Sequence, residues 1–322
     1  NITVMKLFHS LLYPLLGGLF CLSCSDDEQD SGTKQPTTAG EVTFGVDLTG
    51  FSTRVTQDGS SWNDGDKIGT YVLDMKTLEP VTEAANVPYV CSEEGASVSF
   101  TSTTPLKVQN DGTPVKFVAY YPYNADVRNF NYPVQLAAQE RGSTACDLLY
   151  AATKEEYTYS PENEPHISLN FTHRLAKVIL KFVNMEKEPL EVSDVRIEGM
   201  QTAASFNIQT DVLTVDESSV ATINPYHNAT TGFYEAIILP SALTDSYKVS
   251  FVLDDREKEW IFTNLDIALP QFHKGYSYTF ALYIDDSGFV EMGRLENVEG
   301  GNSSAPWEDG SSEAVSYTHL RA

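Results

Sequence analysis

The sequence predicts an all-β protein of two tandem Greek-key β-sandwich domains, on three observations. Apolar residues alternate with smaller or polar ones along many short segments, the period-two pattern of a strand with one buried face. Clusters of Asn, Asp, Gly and Pro separate those segments, as tight turns require. No stretch carries a long amphipathic helical pattern, and Val134–Gln139 is the best short helix candidate. Many strands joined by irregular loops bury their apolar faces most economically against one another, which is a sandwich.

The first residues read as a targeting segment and carry no fold information. Met5-Lys6 gives a minimal positive start, and Leu7 to Phe20 is an apolar run broken by His9, Ser10, Pro14, Gly17 and Gly18. The run ends at Leu22-Ser23-Cys24 and turns acidic at Ser25-Asp26-Asp27-Glu28, so it is short for a membrane span. A small residue before a cysteine at such a boundary resembles the lipobox of bacterial lipoproteins. Residues 1–23 are therefore expected to be a signal peptide and Cys24 the acylated start of the mature chain, with ordinary secretion as the alternative. Residues 24–40, rich in Ser, Thr, Asp, Gln and Gly, describe a flexible tether.

The body opens with a strand at Glu41 to Leu48, whose Val42, Phe44, Val46 and Leu48 alternate with smaller or polar residues. Further strand signals fall at 67–73, 96–101, 116–121, 167–171, 175–183, 233–239, 247–253, 260–262 and 276–284. Prolines and glutamates interrupt the pattern at 155–165, which sets the expected division: an N-terminal sandwich over 41–165 and a C-terminal one over 166–308. Residues 309–322 read as an unstructured or artefactual tail. A chain of 322 residues is long enough for two ordinary cores.

Lys+Arg 21 against Asp+Glu 45 gives a formal charge of -24, which repels polyanions and excludes nucleic acid as a natural partner. With 41% hydrophobic and only 20% charged residues, most of the chain is expected to fold. Lipidation would use Cys24 and remove Cys21, leaving Cys91 and Cys146 either as a disulfide or as two buried thiols. The usual hydrolase, metalloprotease and phosphate-loop signatures are absent and the six histidines lack ligand spacing, so no catalytic residue, metal or cofactor is expected. Asn63-Asp64-Gly65-Asp66 and Asn110-Asp111-Gly112 read as turns and not as calcium loops.

Several stretches recur in an order that resembles a known family. They are Thr53-Arg54-Val55, Trp62 followed by Gly65-Asp66-Lys67-Ile68-Gly69-Thr70-Tyr71, and Ala119-Tyr120-Tyr121-Pro122-Tyr123. Asp147-Leu148-Leu149-Tyr150-Ala151, Phe171-Thr172-His173-Arg174-Leu175-Ala176-Lys177-Val178, Lys274-Gly275-Tyr276-Ser277-Tyr278 and Trp307 follow. Together behind a lipoprotein leader they resemble the fimbrillin family of Bacteroidales, the pilins and pilin-like surface lipoproteins of the type V pilus.

That resemblance implies transthyretin-like sandwiches, a lipid anchor in the outer membrane at the cell surface, and a place in a fimbrium. It also implies assembly with other pilin subunits by strand exchange: a protease removes the first strand, and a neighbour's strand fills the vacated groove. Val42, Phe44, Val46 and Leu48 would be the exchanged anchors. Arg54 is the candidate cleavage site, being the single basic residue between Lys34 and Lys67; an ordinary loop arginine is the equal alternative. The segment 308–322 offers little alternating apolar pattern to donate, which favours an anchor or tip adhesin, meeting a host or microbial surface ligand, over a stalk subunit. The rival reading is a surface glycan-binding lipoprotein, equally acidic and aromatic-rich, which the 17 tyrosines and 3 tryptophans permit.

Overall fold

The computed structural model describes residues 39–47, 61–82, 85–95, 97–140, 142–162, 164–265, 269–288 and 290–300. Among them the regular elements are strands, apart from one 3-10 turn at Ser143–Cys146. The protein is all-β.

The first half supplies β1 (Ala39–Glu41), β2 (Thr43–Asp47), β3 (Lys67–Asp74), β4 (Val87–Cys91), β5 (Ser97–Thr101) and β6 (Lys107–Gln109). It continues with β7 (Val115–Tyr121), β8 (Asn131–Gln135), β9 (Leu149–Ala152), β10 (His166–Leu169) and β11 (Thr172–His173). Eight of these form one sheet in the order β10-β2-β5-β4-β3-β7-β9-β11, while β1 pairs with β6 alone. Every ladder of the large sheet is antiparallel except β10 against β2.

The two edge strands of this sheet, β10 and β11, are joined by Asn170 and Phe171 alone. That connection spans about 11 Å at most, whereas the edges of a flat eight-stranded sheet would lie about 34 Å apart. The sheet is therefore rolled on itself. It wraps a core that includes Phe44, Trp62, Tyr89, Phe100, Phe117 and Phe171, all fully buried. Residues 166–173, read from the sequence as the opening of the second half, are thus strands of the first sheet.

The second half supplies β12 (Ala176–Asn184), β13 (Ser193–Glu198), β14 (Ala203–Asn207), β15 (Val212–Val215), β16 (Tyr226–Asn228) and β17 (Phe233–Ile238). After them come β18 (Ser241–Ala242), β19 (Lys248–Leu253), β20 (Arg256–Ile261), β21 (Gln271–Phe272), β22 (Tyr276–Ile284) and β23 (Val290–Gly300). A five-stranded sheet, β16-β17-β12-β22-β23, and a three-stranded sheet, β13-β19-β20, share one core. Leu180, Phe182 and Phe280 from the first meet Ile197, Phe251 and Trp260 from the second, a sandwich in which alternate residues point inward.

A third apolar cluster draws on both halves. The strands β3 and β7 are buried on both faces, which is why they read as nearly continuous apolar runs. Val72 and Phe117 enter the rolled core, while Tyr71, Leu73, Val118 and Tyr120 face Phe206, Ile237 and Leu239 of the second half. The halves also share a sheet, because β8 pairs antiparallel with β14, from Asn131 opposite Asn207 to Gln135 opposite Ala203.

This pairing puts a strand where the best short helix candidate, Val134–Gln139, begins. Residues 131–135 form a strand at the edge of the β15-β14-β8 sheet, where Pro133 is tolerated. Beyond it Gln139 is buried and acts in place of a strand. Its Nε2 donates to the Ile237 carbonyl at 2.7 Å, and the Ile237 N–H donates to its Oε1 at 2.7 Å. These bonds satisfy backbone groups of β17 where β16 has already ended.

Candidate functional site

The sequence singles out the first strand, and the structure sets it inside the rolled core. The chain enters as β1, paired with β6, and a Glu41–Lys107 ion pair of 3.1 Å marks the exposed side. At Val42 it changes partners. The Val42 N–H donates to Leu106 O and the Thr43 N–H to Pro165 O, each at 2.9 Å. β2 then runs between two strands, antiparallel to β5 and parallel to β10, so it occupies an interior position of the sheet and not an edge.

Period two decides what each residue of β2 does. Val42 and Phe44 are 0% exposed and Val46 is 2% exposed. Phe44 lies opposite Phe100 on one side and Ile167 on the other, and Val46 lies opposite Val98 and Leu169. The Phe44 ring meets Tyr89 edge-on with centroids 4.8 Å apart, and Phe117 at 5.9 Å. The Tyr89 hydroxyl donates to Val42 O at 3.0 Å and accepts from the Leu106 N–H at 2.8 Å, tying the kink to the core. Burial pushes this hydroxyl up to about 12 against the opposing pull of the Leu106 N–H.

Two glycines let neighbours cover the strand. A Cβ on Gly40 would lie 2.4 Å from the Tyr159 ring, and one on Gly45 would lie 2.6 Å from Nε2 of His166. The same histidine holds the Thr43 hydroxyl at 3.0 Å through Nδ1. Leu48, the fourth expected anchor, lies outside the described residues, as do the cleavage candidate Arg54 and the lipidation candidate Cys24.

Among the described residues, the others that the sequence singles out have packing roles; Thr53, Val55 and Trp307 lie outside them. Trp62 is fully buried, edge-on to Phe100, Tyr121 and Phe171 at 5.1, 5.3 and 5.5 Å. Gly69 lies under Tyr120, whose ring a Cβ would approach to 2.2 Å, and the Tyr120 hydroxyl donates to Asn86 Oδ1 at 2.6 Å. His173 is buried with Nδ1 2.8 Å from Asp147, and Arg174 stacks on Tyr150 while holding Asp211 through Nε and Nη2. Gly65 and Gly112 adopt positive φ, as turns require. Cys91 and Cys146 are free thiols, and burial raises both above the usual thiol range.

Sequence reasoning missed what receives the first strand. β10 is 123 residues from Thr43 at their hydrogen bond, and no local pattern announces a pairing at that separation.

Rolled sheet, sandwich and shared cluster define an all-β protein whose N-terminal strand is a core element. The chain belongs to the fimbrillin-like family, whose model matches residues 53–307. Among solved structures, a candidate cell adhesion protein from Bacteroides uniformis is similar at 22% identity, over 81% of this chain and 97% of that chain, with a TM-score of 0.65. Another from Bacteroides ovatus is similar at 15% identity, over 83% of this chain and 98% of that chain, with a TM-score of 0.60. At these identities the likeness is one of fold. A search of curated proteins finds no match.

Proposed function

We propose that this chain is a fimbrial subunit or fimbria-associated adhesin at the cell surface, held in the outer membrane by a lipid on Cys24, that joins other subunits by exchanging its first strand. The setting of β2 carries the reading. Its anchors Val42, Phe44 and Val46 are wholly buried between two ladders, and burial of the three is worth about 5–9 kcal/mol. Downstream, the chain leaves β2 through a segment that contains Arg54. A cut there would leave β1 and β2 attached to the body by hydrogen bonds and packing alone.

The same geometry defines the strand that would replace them. It must run antiparallel to β5 and parallel to β10, present apolar residues at alternate positions, and carry a small residue under His166. An empty slot would expose Phe100 and Ile167 together with two open ladders, so the cut strand stays until an incoming one displaces it. The family and the candidate adhesion proteins of similar fold support a surface role and a non-catalytic one. The division into two domains belongs to the same proposal, with β10 and β11 assigned to the first.

Limiting trypsin on recombinant protein tests both steps. The first cut is expected after Arg54, followed by ladders on gels of unboiled samples. A first cut elsewhere, with residues 39–54 still covalently attached, refutes the assignment.

A further inference from the structure

A second concave surface lies on the face of the rolled sheet opposite the core that holds β2. Tyr71, Asn86, Tyr123, Arg128, Asn129 and Phe130 line this cleft of about 450 Å³. Strand exchange makes no use of it.

Tyr71 is 3% exposed, yet its hydroxyl has no hydrogen-bond partner among the described residues. The hydroxyl is not closed off from solvent: the tip of the Tyr71 side chain opens onto the cleft, where it can bond to whatever occupies it. Burial pushes this hydroxyl up to about 12, so it remains a donor at neutral pH. The Phe130 ring lies 4.8 Å from the Tyr71 ring, and Tyr123 is half-buried alongside.

The rim is held in place by its backbone. Asn86, Asn129 and Phe130 have φ of 53°, 50° and 62°, a conformation that a bulky phenylalanine rarely adopts. It is secured by the Ile208 N–H, which donates to Phe130 O at 2.8 Å. Nη1 of Arg128 donates to Ala125 O and Val127 O at 2.7 and 2.8 Å, which leaves Nε and Nη2 without partners among the described residues.

Aromatic faces beside planar amide and guanidinium groups, above a hydroxyl that opens onto the cleft, match a ring that is apolar on its faces and hydroxylated at its edge. A purely apolar ligand would leave the Tyr71 hydroxyl unpaired, and Arg128 is the sole cation in the lining among the described residues, too little for a phosphate or sulfate. We infer that this cleft binds a neutral carbohydrate, with about one or two sugar rings inside it.

The test uses intact, uncleaved protein, so its outcome is separate from strand exchange. The protein is applied to an array of neutral and acidic oligosaccharides, and the bound sugars are titrated by calorimetry. Neutral sugars are expected to bind, Tyr71→Phe to weaken them about three- to tenfold with unchanged thermal unfolding, and Arg128→Ala to weaken them as well. The inference is overturned if no neutral sugar binds, if acidic sugars alone bind, or if both variants bind as the parent does. It is overturned equally if Tyr71→Phe lowers the unfolding temperature, because the hydroxyl would then have a partner inside the protein.

Discussion

Phe44→Ala is expected to destabilise the protein by about 3–5 kcal/mol, read as a lower midpoint in urea unfolding. The ring is 0% exposed and sits among Tyr89, Phe117, Phe100 and Ile167, all on strands that the sheet fixes on several sides. Such walls cannot collapse into the vacated space, so the cavity cost adds to the lost transfer energy. Thr43→Ala, on the opposite face of the same strand, should cost little because Thr43 is exposed. A loss under about 1 kcal/mol for Phe44→Ala would mean that the strand adds little to the core, and the proposed exchange would lose its driving force.

Lys177→Met alone is expected to cost about 3–5 kcal/mol, while Lys177→Met combined with Glu235→Leu recovers most of that loss. On β12, Ala176, Val178 and Leu180 point into the sandwich, and Lys177 points to the opposite face. There its Nζ lies 2.6 Å from Glu235 Oε2, with side chains 6% and 10% exposed, and Asn228 Nδ2 donates to Glu235 Oε1 at 2.9 Å. Removing the lysine leaves the Glu235 carboxylate in a dry setting without its counter-charge, whereas removing both charges leaves a site that apolar side chains can fill. Urea unfolding of the four proteins of this cycle separates the outcomes. Equal losses in the single and double variants would assign the cost to packing and not to the charge pair.

What the sequence reveals follows from how local each cause is. Val42, Phe44 and Val46 show their burial directly, since alternation is a property of neighbours in the chain. The runs at β3 and β7 were equally visible, although their burial on both faces comes from a cluster that only the fold assembles. β8 was hidden: among 131–135 only Val134 is buried, so no alternation can be seen, and its partner β14 lies far along the chain. Prolines before β10 read as a domain boundary, yet β10 closes the rolled sheet of the first half. The Tyr71 cleft left no trace because its rim is made by left-handed residues in a loop, which no hydrophobic period encodes.

One measurement goes straight to the exchangeable strand: after trypsin treatment, a fluorescent peptide of residues 39–54 is added and its uptake followed by size-exclusion chromatography. The labelled peptide should enter the cut protein, replace the resident strand one for one, and fail to enter when it carries Phe44→Asp. A cut protein that keeps its own strand and takes up no peptide, or that takes up both peptides equally, would contradict the account.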